Sequence, residues 1–161
     1  QFDHALTGSL ILDVGCGPGW EAKTFVDLGY NVLAIDLVQS FLRTTADRSS
    51  KIHVARMDMQ TLGICDGQVD GIWGCASFLH IHRKHAAATL REFNRVLAPS
   101  GVLMLSVRRG SGVERGNTYP DDRRRFTYYQ PDELQELLIS AGFDVSLNAT
   151  SEWIEVLAKV K

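Results

Sequence analysis

The sequence has 161 residues, of which 45% are apolar and 22% charged, an ordinary globular composition that argues against disorder. This length suits one domain with a sizeable core, so we expect residues 1–161 to form a single domain. No apolar run approaches the roughly 20 residues of a membrane span, so no membrane association is expected. The net charge of −2 gives no general attraction to nucleic acid, so nucleic acid is not expected as a partner either.

The start of the chain and its cysteines indicate the cellular compartment. The first eight residues lack both the basic and the apolar region of a secretory signal, so no signal peptide is expected. Cys16, Cys65 and Cys75 are odd in number and scattered, which does not suit a disulfide framework. A reducing compartment fits this usage better, and we predict a cytoplasmic location.

Apolar runs alternate with segments of helical period, an order that predicts β-α-β units and a mainly parallel sheet. The predicted strands are Leu10–Val14, Asn31–Asp36, Ile52–Arg56, Val69–Cys75, 102–107, 144–147 and 153–157. The third strand alternates in polarity and is expected near an edge. The link between the last two is too short for a parallel crossover, so they should form an antiparallel hairpin.

The helices are predicted between these strands. The first runs from about Trp20 to a stop at Gly29, the second passes through Phe41, Leu42 and Ala46, and the third carries an apolar stripe from Ala86 to Leu97. A last helix begins near Pro131 and stops at Gly142. Residues 108–128 are polar and rich in Gly and Arg, so they are interpreted as a long loop.

A glycine-rich turn joins the first strand to the first helix. Gly15, Gly17 and Gly19 have G-x-G-x-G spacing, unlike the G-x-G-x-x-G that places a pyrophosphate on a helix N-terminus. Asp13 precedes them, which would disfavour a pyrophosphate but suits a cationic ligand such as a sulfonium with an α-amino group. A purely structural strand-to-helix turn is the alternative interpretation.

Two further acids follow the next two strands. Asp36 ends the second strand about twenty residues beyond the glycines, where a carboxylate can accept hydrogen bonds from both ribose hydroxyls. Capping of the following helix is its alternative role. Asp58 can accept from an adenine amino group, with Met57 and Met59 as soft apolar surface, although a solvated loop aspartate is equally consistent.

These motifs, in this order, resemble the class I S-adenosylmethionine-dependent methyltransferases. Residues 11–19 (I-L-D-V-G-C-G-P-G) match their first motif almost letter for letter, and residues 90–101 (L-R-E-F-N-R-V-L-A-P-S-G) match a later one. The resemblance continues through Ala141-Gly-Phe143 to the final hairpin. It implies an α/β, Rossmann-like fold with a seven-stranded, mainly parallel sheet, helices on both faces and an antiparallel C-terminal hairpin. It also implies methyl transfer from S-adenosylmethionine, with S-adenosylhomocysteine as product.

The resemblance also implies a set of cofactor-binding residues. Asp13 and the glycines would line the methionine part, Asp36 the ribose, Asp58 and Met59 the adenine, and Cys75 and Ala76 the sulfonium. The full predicted set is Asp13, Gly15, Cys16, Gly17, Gly19, Asp36, Leu37, Asp58, Met59, Cys75 and Ala76. Family members usually carry one or two helices before the first strand that cover the active site. Only residues 1–7 stand there in this sequence, so we expect that cover to be absent.

A histidine after the fourth strand is the best candidate for a general base. His80 follows that strand on the side where open α/β sheets bind ligands, and its ordinary pKa of about 6.5 suits proton transfer near neutral pH. A histidine packed at a helix start is the alternative. His80, His82 and His85 lack metal-ligand spacing, so no metal is predicted.

Arginines and aromatic residues mix in the predicted loop, which suggests recognition of an anionic or planar acceptor. We name Arg108, Tyr128 and Tyr129 as acceptor candidates, with a solvated loop as the alternative. The sequence thus favours methyl transfer to an oxygen or nitrogen of a small-molecule acceptor. An RNA-modifying methyltransferase, a non-catalytic S-adenosylmethionine-binding module and an NAD-dependent reductase remain as alternatives.

Overall fold

The computed structural model describes residues 2–116 and 124–161, so Arg123 of the arginine-rich segment lies outside the described residues. The helices are α1 Phe2–Ala5, α2 Trp20–Asp27, α3 Gln39–Arg48, α4 Arg83–Val96 and α5 Pro131–Ser140, with a short 3-10 helix at Phe78–His80. The strands are β1 Leu10–Val14, β2 Asn31–Asp36, β3 Ile52–Arg56, β4 Val69–Cys75, β5 Leu97–Arg108, β6 Val113–Arg115, β7 Arg125–Thr127, β8 Phe143–Ala149 and β9 Trp153–Val160. No helix in this described part of the chain has the length and apolar character needed to cross a membrane.

Seven strands form one sheet in the order β3-β2-β1-β4-β5-β9-β8. The first five strands along the chain pair in parallel, whereas β9 runs antiparallel to both β5 and β8. The predicted seven-stranded, Rossmann-like sheet with an antiparallel C-terminal hairpin is therefore confirmed, as is the edge position of β3. The sheet order reverses direction between β1 and β4, where open α/β folds bind ligands.

The sheet is buried on both faces, which explains why its central strands are continuously apolar. In β1, Ile11 faces α2 and α3, while Leu12 and Val14 face α4 and α5. Successive side chains of a strand point to opposite faces, so one short apolar run supplies both cores. Asp13 lies on the same side as Ile11, which puts a carboxyl group in an otherwise apolar layer.

Two features differ from the sequence-based expectation. Strand β5 begins at Leu97 instead of residue 102, and its pairing with β4 shifts register between Val69 and Gly71. The predicted loop 108–128 contains a two-stranded antiparallel ribbon, β6–β7, in which Val113 is paired with Thr127 and Arg115 with Arg125. Each ribbon strand has three residues, too few for a period of two to be recognised in the sequence.

Candidate functional site

The glycine turn after β1 packs its backbone against two neighbouring elements. The Gly15 and Cys16 N–H groups both donate to the Ile35 carbonyl, at 2.8 and 3.0 Å. Gly15 has a φ of +69°, and a Cβ there would lie 2.6 Å from Cβ of Ser77. Glycine is therefore required by conformation and by space at this position. At Gly17, with φ of +51°, a Cβ would meet no described atom within 4 Å, so this turn is open on its outer side.

Asp36 joins the end of β2 to the glycine turn. One carboxylate oxygen accepts from the Gly17 N–H at 3.0 Å, and the other accepts from the Val38 N–H at 2.8 Å. Val38 is the residue immediately before α3 and has no side-chain cap there, so Asp36 also stabilises the approach to that helix. Each carboxylate oxygen has a further lone pair, which leaves Asp36 able to accept from a ligand.

A pocket of about 440 Å³ opens beside this turn at the carboxyl ends of the parallel strands. Among the predicted cofactor residues, it is lined by Gly15, Gly17, Asp36, Leu37, Asp58, Met59 and Ala76, and His80 lines it too. The sequence analysis missed other lining residues, namely Val38, Phe41, Gln60, Ser77, Ile81 and Arg124. Leu37 and Phe41 are exposed apolar side chains. Leu37 belongs to the predicted set, whereas Phe41 stands five residues after Asp36 and the sequence assigns it only to the following helix.

The loop after β3 presents Asp58 to this pocket in a local turn. Its Oδ1 accepts from the Gln60 N–H at 2.9 Å, and the Gln60 side-chain amide lies 3.3 Å from both carboxylate oxygens. The loop is held from α4, where Glu92 accepts from the Leu62 N–H at 2.8 Å. Asp58 therefore occupies a defined turn and is half-buried, not a freely solvated position.

Asp13 is buried behind the glycine turn and does not line the pocket. The residue is 3% exposed, and its Oδ2 has no hydrogen-bond partner among the described residues. Burial, reinforced by the nearby charges of Glu21 and Asp36, raises the pKa of this carboxyl to about 7. A buried carboxyl with an unused oxygen is a place where a cationic or hydrogen-bond-donating ligand group gains a partner.

The structure places Cys16, Gly19 and Cys75 around the pocket but not in its lining. The Cys16 thiol is buried against Thr45, and burial raises its pKa to about 12, so it stays protonated. Cys75 ends β4 and accepts from the Ser106 hydroxyl at 3.4 Å. The same hydroxyl accepts from the Ala76 N–H at 2.9 Å, which holds Ala76 at a φ of +50°, strained for a residue with a Cβ.

His80 has one ring nitrogen fixed by the backbone. Its Nδ1 lies 2.7 Å from the Arg125 carbonyl oxygen, which can only accept, so Nδ1 carries the hydrogen. The neutral ring then has its lone pair on Nε2. The ring also meets Phe126 edge-on at 4.9 Å, so the β7 strand holds it on two sides.

The acceptor candidates separate into two environments. Arg108 and Tyr128 line a second cavity of about 320 Å³ beside the β6–β7 ribbon. Tyr129 is 0% exposed and packs in the core 6.0 Å from the Phe78 ring, which corrects its predicted role as an acceptor contact. Neighbouring side chains here point in opposite directions, so Tyr128 faces the cavity and Tyr129 faces the core. The sequence does not indicate which of the two is buried.

The two histidines that follow His80 have local structural roles. His82 precedes α4 and accepts from the Lys84 N–H at 3.2 Å, while His85 stacks edge-on against it at 6.1 Å. Within residues 2–116 and 124–161, no three His, Cys, Asp or Glu side chains converge as metal ligands would.

Comparison with known proteins identifies the family. Residues 11–101 match the family model described as a methyltransferase domain. A malonyl-[acyl-carrier protein] O-methyltransferase of Buchnera aphidicola is 34% identical over 110 residues, covering 68% of this chain and 44% of the relative. A probable S-adenosylmethionine-dependent methyltransferase of Mycobacterium tuberculosis is 29% identical over 138 residues, covering 85% and 50%.

The fold is also shared with solved structures. A SAM-dependent methyltransferase from Methanosarcina mazei superimposes with a TM-score of 0.86 at 18% identity, covering 98% of this chain and 95% of the other. The chain spans about half the length of the curated relatives that it matches. The family match covers the glycine turn, Asp36, Asp58 and His80. The chain belongs to the class I S-adenosylmethionine-dependent methyltransferases.

Proposed function

We propose that this chain binds S-adenosylmethionine in the 440 Å³ pocket and transfers its methyl group to an oxygen or nitrogen of a small-molecule acceptor. The observation that carries the proposal is the hydrogen bond from the Gly17 N–H to the Asp36 carboxylate, in the wall of that pocket. It joins the glycine turn and the acid of β2 into one ligand-binding surface. The names of the relatives, among them an O-methyltransferase, agree with this chemistry.

The residues of the pocket suit the parts of this cofactor. Asp36 retains lone pairs for the ribose hydroxyls, and Asp58 can accept from the adenine amino group. Met59 and Phe41 offer apolar surface for the purine ring. The unpartnered oxygens of Asp13 and Ser77, both buried beside the glycine turn, suit the α-amino end of the methionine part.

When bound, S-adenosylmethionine would supply a methyl carbon activated by its sulfonium, which would pass to the acceptor lone pair while sulfur kept the carbon–sulfur electron pair. The protein contributes alignment and proton removal. His80 takes the acceptor proton on Nε2, because Nδ1 already holds its hydrogen toward the Arg125 carbonyl. Ala76, at a φ of +50°, directs the backbone after β4 along the wall of the pocket.

Calorimetry with S-adenosylhomocysteine tests the cofactor site. Asp36→Asn removes the charge from hydrogen bonds worth about 1.5–3 kcal/mol, so we expect affinity to fall roughly 10- to 100-fold. Asp47→Asn, an exposed carboxylate on α3, is the matched control and should bind as the parent does. Equal affinity of Asp36→Asn and the parent, or tighter binding of NADH than of S-adenosylhomocysteine, would remove the proposal.

The same preparation separates binding from transfer. His80→Gln should bind S-adenosylhomocysteine within about twofold of the parent but incorporate at least tenfold less labelled methyl into a metabolite extract. Full incorporation by this variant refutes the base role. Label recovered only in RNA would replace the small-molecule acceptor with the RNA alternative, and binding without transfer to either would indicate a non-catalytic module.

A further inference from the structure

A second cavity, of about 320 Å³, lies between the β6–β7 ribbon and the turn that joins β8 to β9. Three arginines line it, Arg108, Arg109 and Arg115, together with the aromatic rings of Phe126 and Tyr128. Two acids, Glu114 and Glu152, complete its charged lining. The residues come from three chain segments, of which the first and the last are more than 30 positions apart, so the cavity exists only in the folded protein.

The two acids of this cavity are already engaged. Glu152 pairs with Arg108 at 3.3 Å, and Glu114 accepts the Tyr128 hydroxyl hydrogen bond. Arg109 donates one guanidinium hydrogen to the Thr150 carbonyl at 2.8 Å. For Arg115 no side-chain partner exists among residues 2–116 and 124–161. Among the described lining residues, three arginines face two carboxylates, so guanidinium donors and one positive charge have no partner within this part of the chain.

The arginines of the β5 end are held by an ordered backbone. The Arg109 N–H donates to the Glu152 carbonyl at 2.8 Å, and the Tyr129 N–H donates to the Arg108 carbonyl at 3.1 Å. The Gly110 N–H returns a bond to the Tyr129 carbonyl at 3.0 Å. These bonds fix the backbone positions of Arg108 and Arg109. Ligand binding therefore has to order only the outer atoms of these two side chains.

One aromatic ring separates this cavity from the cofactor pocket. Phe126 lines the second cavity and contacts the His80 ring at 4.9 Å, and His80 lines the cofactor pocket. Arg124 lines the cofactor pocket and lies over the same ring, with Cζ 5.4 Å from its centroid. An acceptor held in the second cavity thus needs to extend past Phe126 to reach His80.

We propose that this cavity binds an oxyanion of the methyl acceptor, a carboxylate or a phosphate, through Arg109 and Arg115. The planar guanidinium fork matches both groups, and Phe126 and Tyr128 favour an acceptor with an apolar or aromatic body. This assignment rests on the proposed function for its biological meaning, while the anion site itself can be measured without any cofactor.

The probes are benzoate, phenyl phosphate and the neutral isostere benzamide, titrated into the parent and followed by amide NMR shifts. Benzoate or phenyl phosphate should shift residues 108–116 and 126–128 with millimolar affinity, weaken as salt rises, and bind at least fivefold more tightly than benzamide. The tighter of the two anions separates a carboxylate from a phosphate acceptor. Arg109→Gln and Arg115→Gln should each weaken that anion at least threefold.

Arg91→Gln, an exposed arginine on α4, is the control and should leave anion affinity unchanged. Unfolding curves identify any variant that is not folded. If one arginine variant is unfolded, the anion affinity of the other arginine variant decides whether the assignment holds. Equal binding of benzoate, phenyl phosphate and benzamide, or unchanged anion affinity in both arginine variants, overturns the assignment. Binding of S-adenosylhomocysteine, measured separately, reports on the proposed function, so the failure of either is distinguishable.

Discussion

At the scale of single residues, Asp13 stands out because its carboxyl is buried without a full set of partners. A carboxyl in this position lowers stability once it ionises, since the charge loses its hydration. Its pKa of about 7 in the folded chain, against an ordinary value of 3.8, means that the folded protein holds a proton which the unfolded chain releases. The ionised form of Asp13 would favour a cationic ligand, whereas the protonated form favours the folded state.

The pH dependence of stability tests this directly. Because the folded pKa is raised, the stabilising effect of the retained proton is full below about pH 4 and is lost as the pH rises through 7. Asp13→Asn cannot ionise, so its melting temperature relative to the parent should be higher at pH 8 than at pH 5. The full shift corresponds to on the order of 4 kcal/mol.

Asp47→Asn is the comparison for that measurement, because its exposed carboxylate should give the same difference from the parent at both values of pH. A difference between Asp13→Asn and the parent that is independent of pH would show that Asp13 is ionised throughout. Such a result would place a cationic partner beside it in the free protein.

At the scale of elements, one arginine on α4 braces the loop that carries Asp58. Arg95 donates to the carbonyls of Leu62 and Ile64 at 3.0 and 2.8 Å, and pairs with Glu92 and Asp66. Leu62 is buried in the core and Ile64 packs against it, so these bonds act together with apolar packing to fix the path of the loop. Arg95 therefore acts on the cofactor pocket through the loop, as a positioning residue.

Removing that brace should loosen the loop and the pocket together. Arg95→Gln should lower the free energy of unfolding, because several hydrogen bonds are lost at once, and weaken S-adenosylhomocysteine several-fold, with faster amide exchange at 58–66. Arg91→Gln, one turn earlier on α4, supplies the control in calorimetry and exchange. If the Arg95 variant loses stability while amide exchange at 58–66 and the affinity for S-adenosylhomocysteine stay at the parent's values, Arg95 is not a positioning residue.

At the scale of the whole molecule, β9 ties the C-terminal part of the chain to the parallel sheet. It pairs with β5 from Val102–Lys159 to Arg108–Trp153, and with β8 along its other side. The β6–β7 ribbon, in contrast, forms a separate sheet that has two strands in the described part of the chain. A two-stranded ribbon is marginal without packing, whereas an internal strand shares the stability of the whole sheet.

Native-state hydrogen exchange should resolve this difference. We expect the amides of β9, β1 and β4 to exchange only through global unfolding, and the β6–β7 amides to exchange at least a hundredfold faster through local opening. An added denaturant series separates the two routes, because only global opening depends steeply on denaturant. Ribbon amides as protected as those of β9 would mean that the ribbon is part of the cooperative core.

The sequence predicted the fold far better than the second cavity, for physical reasons. Strand β1 is an apolar run next to glycines, and both signals are local, so Leu10–Val14 was predicted to the residue. Asp36 was likewise found because a strand end and a spacing are readable along the chain. Arg108 and Glu152 meet only through the pairing of β5 with β9, and the burial of Tyr129 depends on packing from α5, neither of which is a local property.

The position of β9 between β5 and β8 also determines when the sheet can be completed during translation. Translation delivers β8 first, yet its neighbour in the sheet is β9, which emerges later. Until then the nascent chain carries β5 as an open edge, with unpaired backbone groups facing solvent or a chaperone. Completion of the sheet is therefore a late, post-emergence event, and the interval before it is when this chain is most exposed to misassembly.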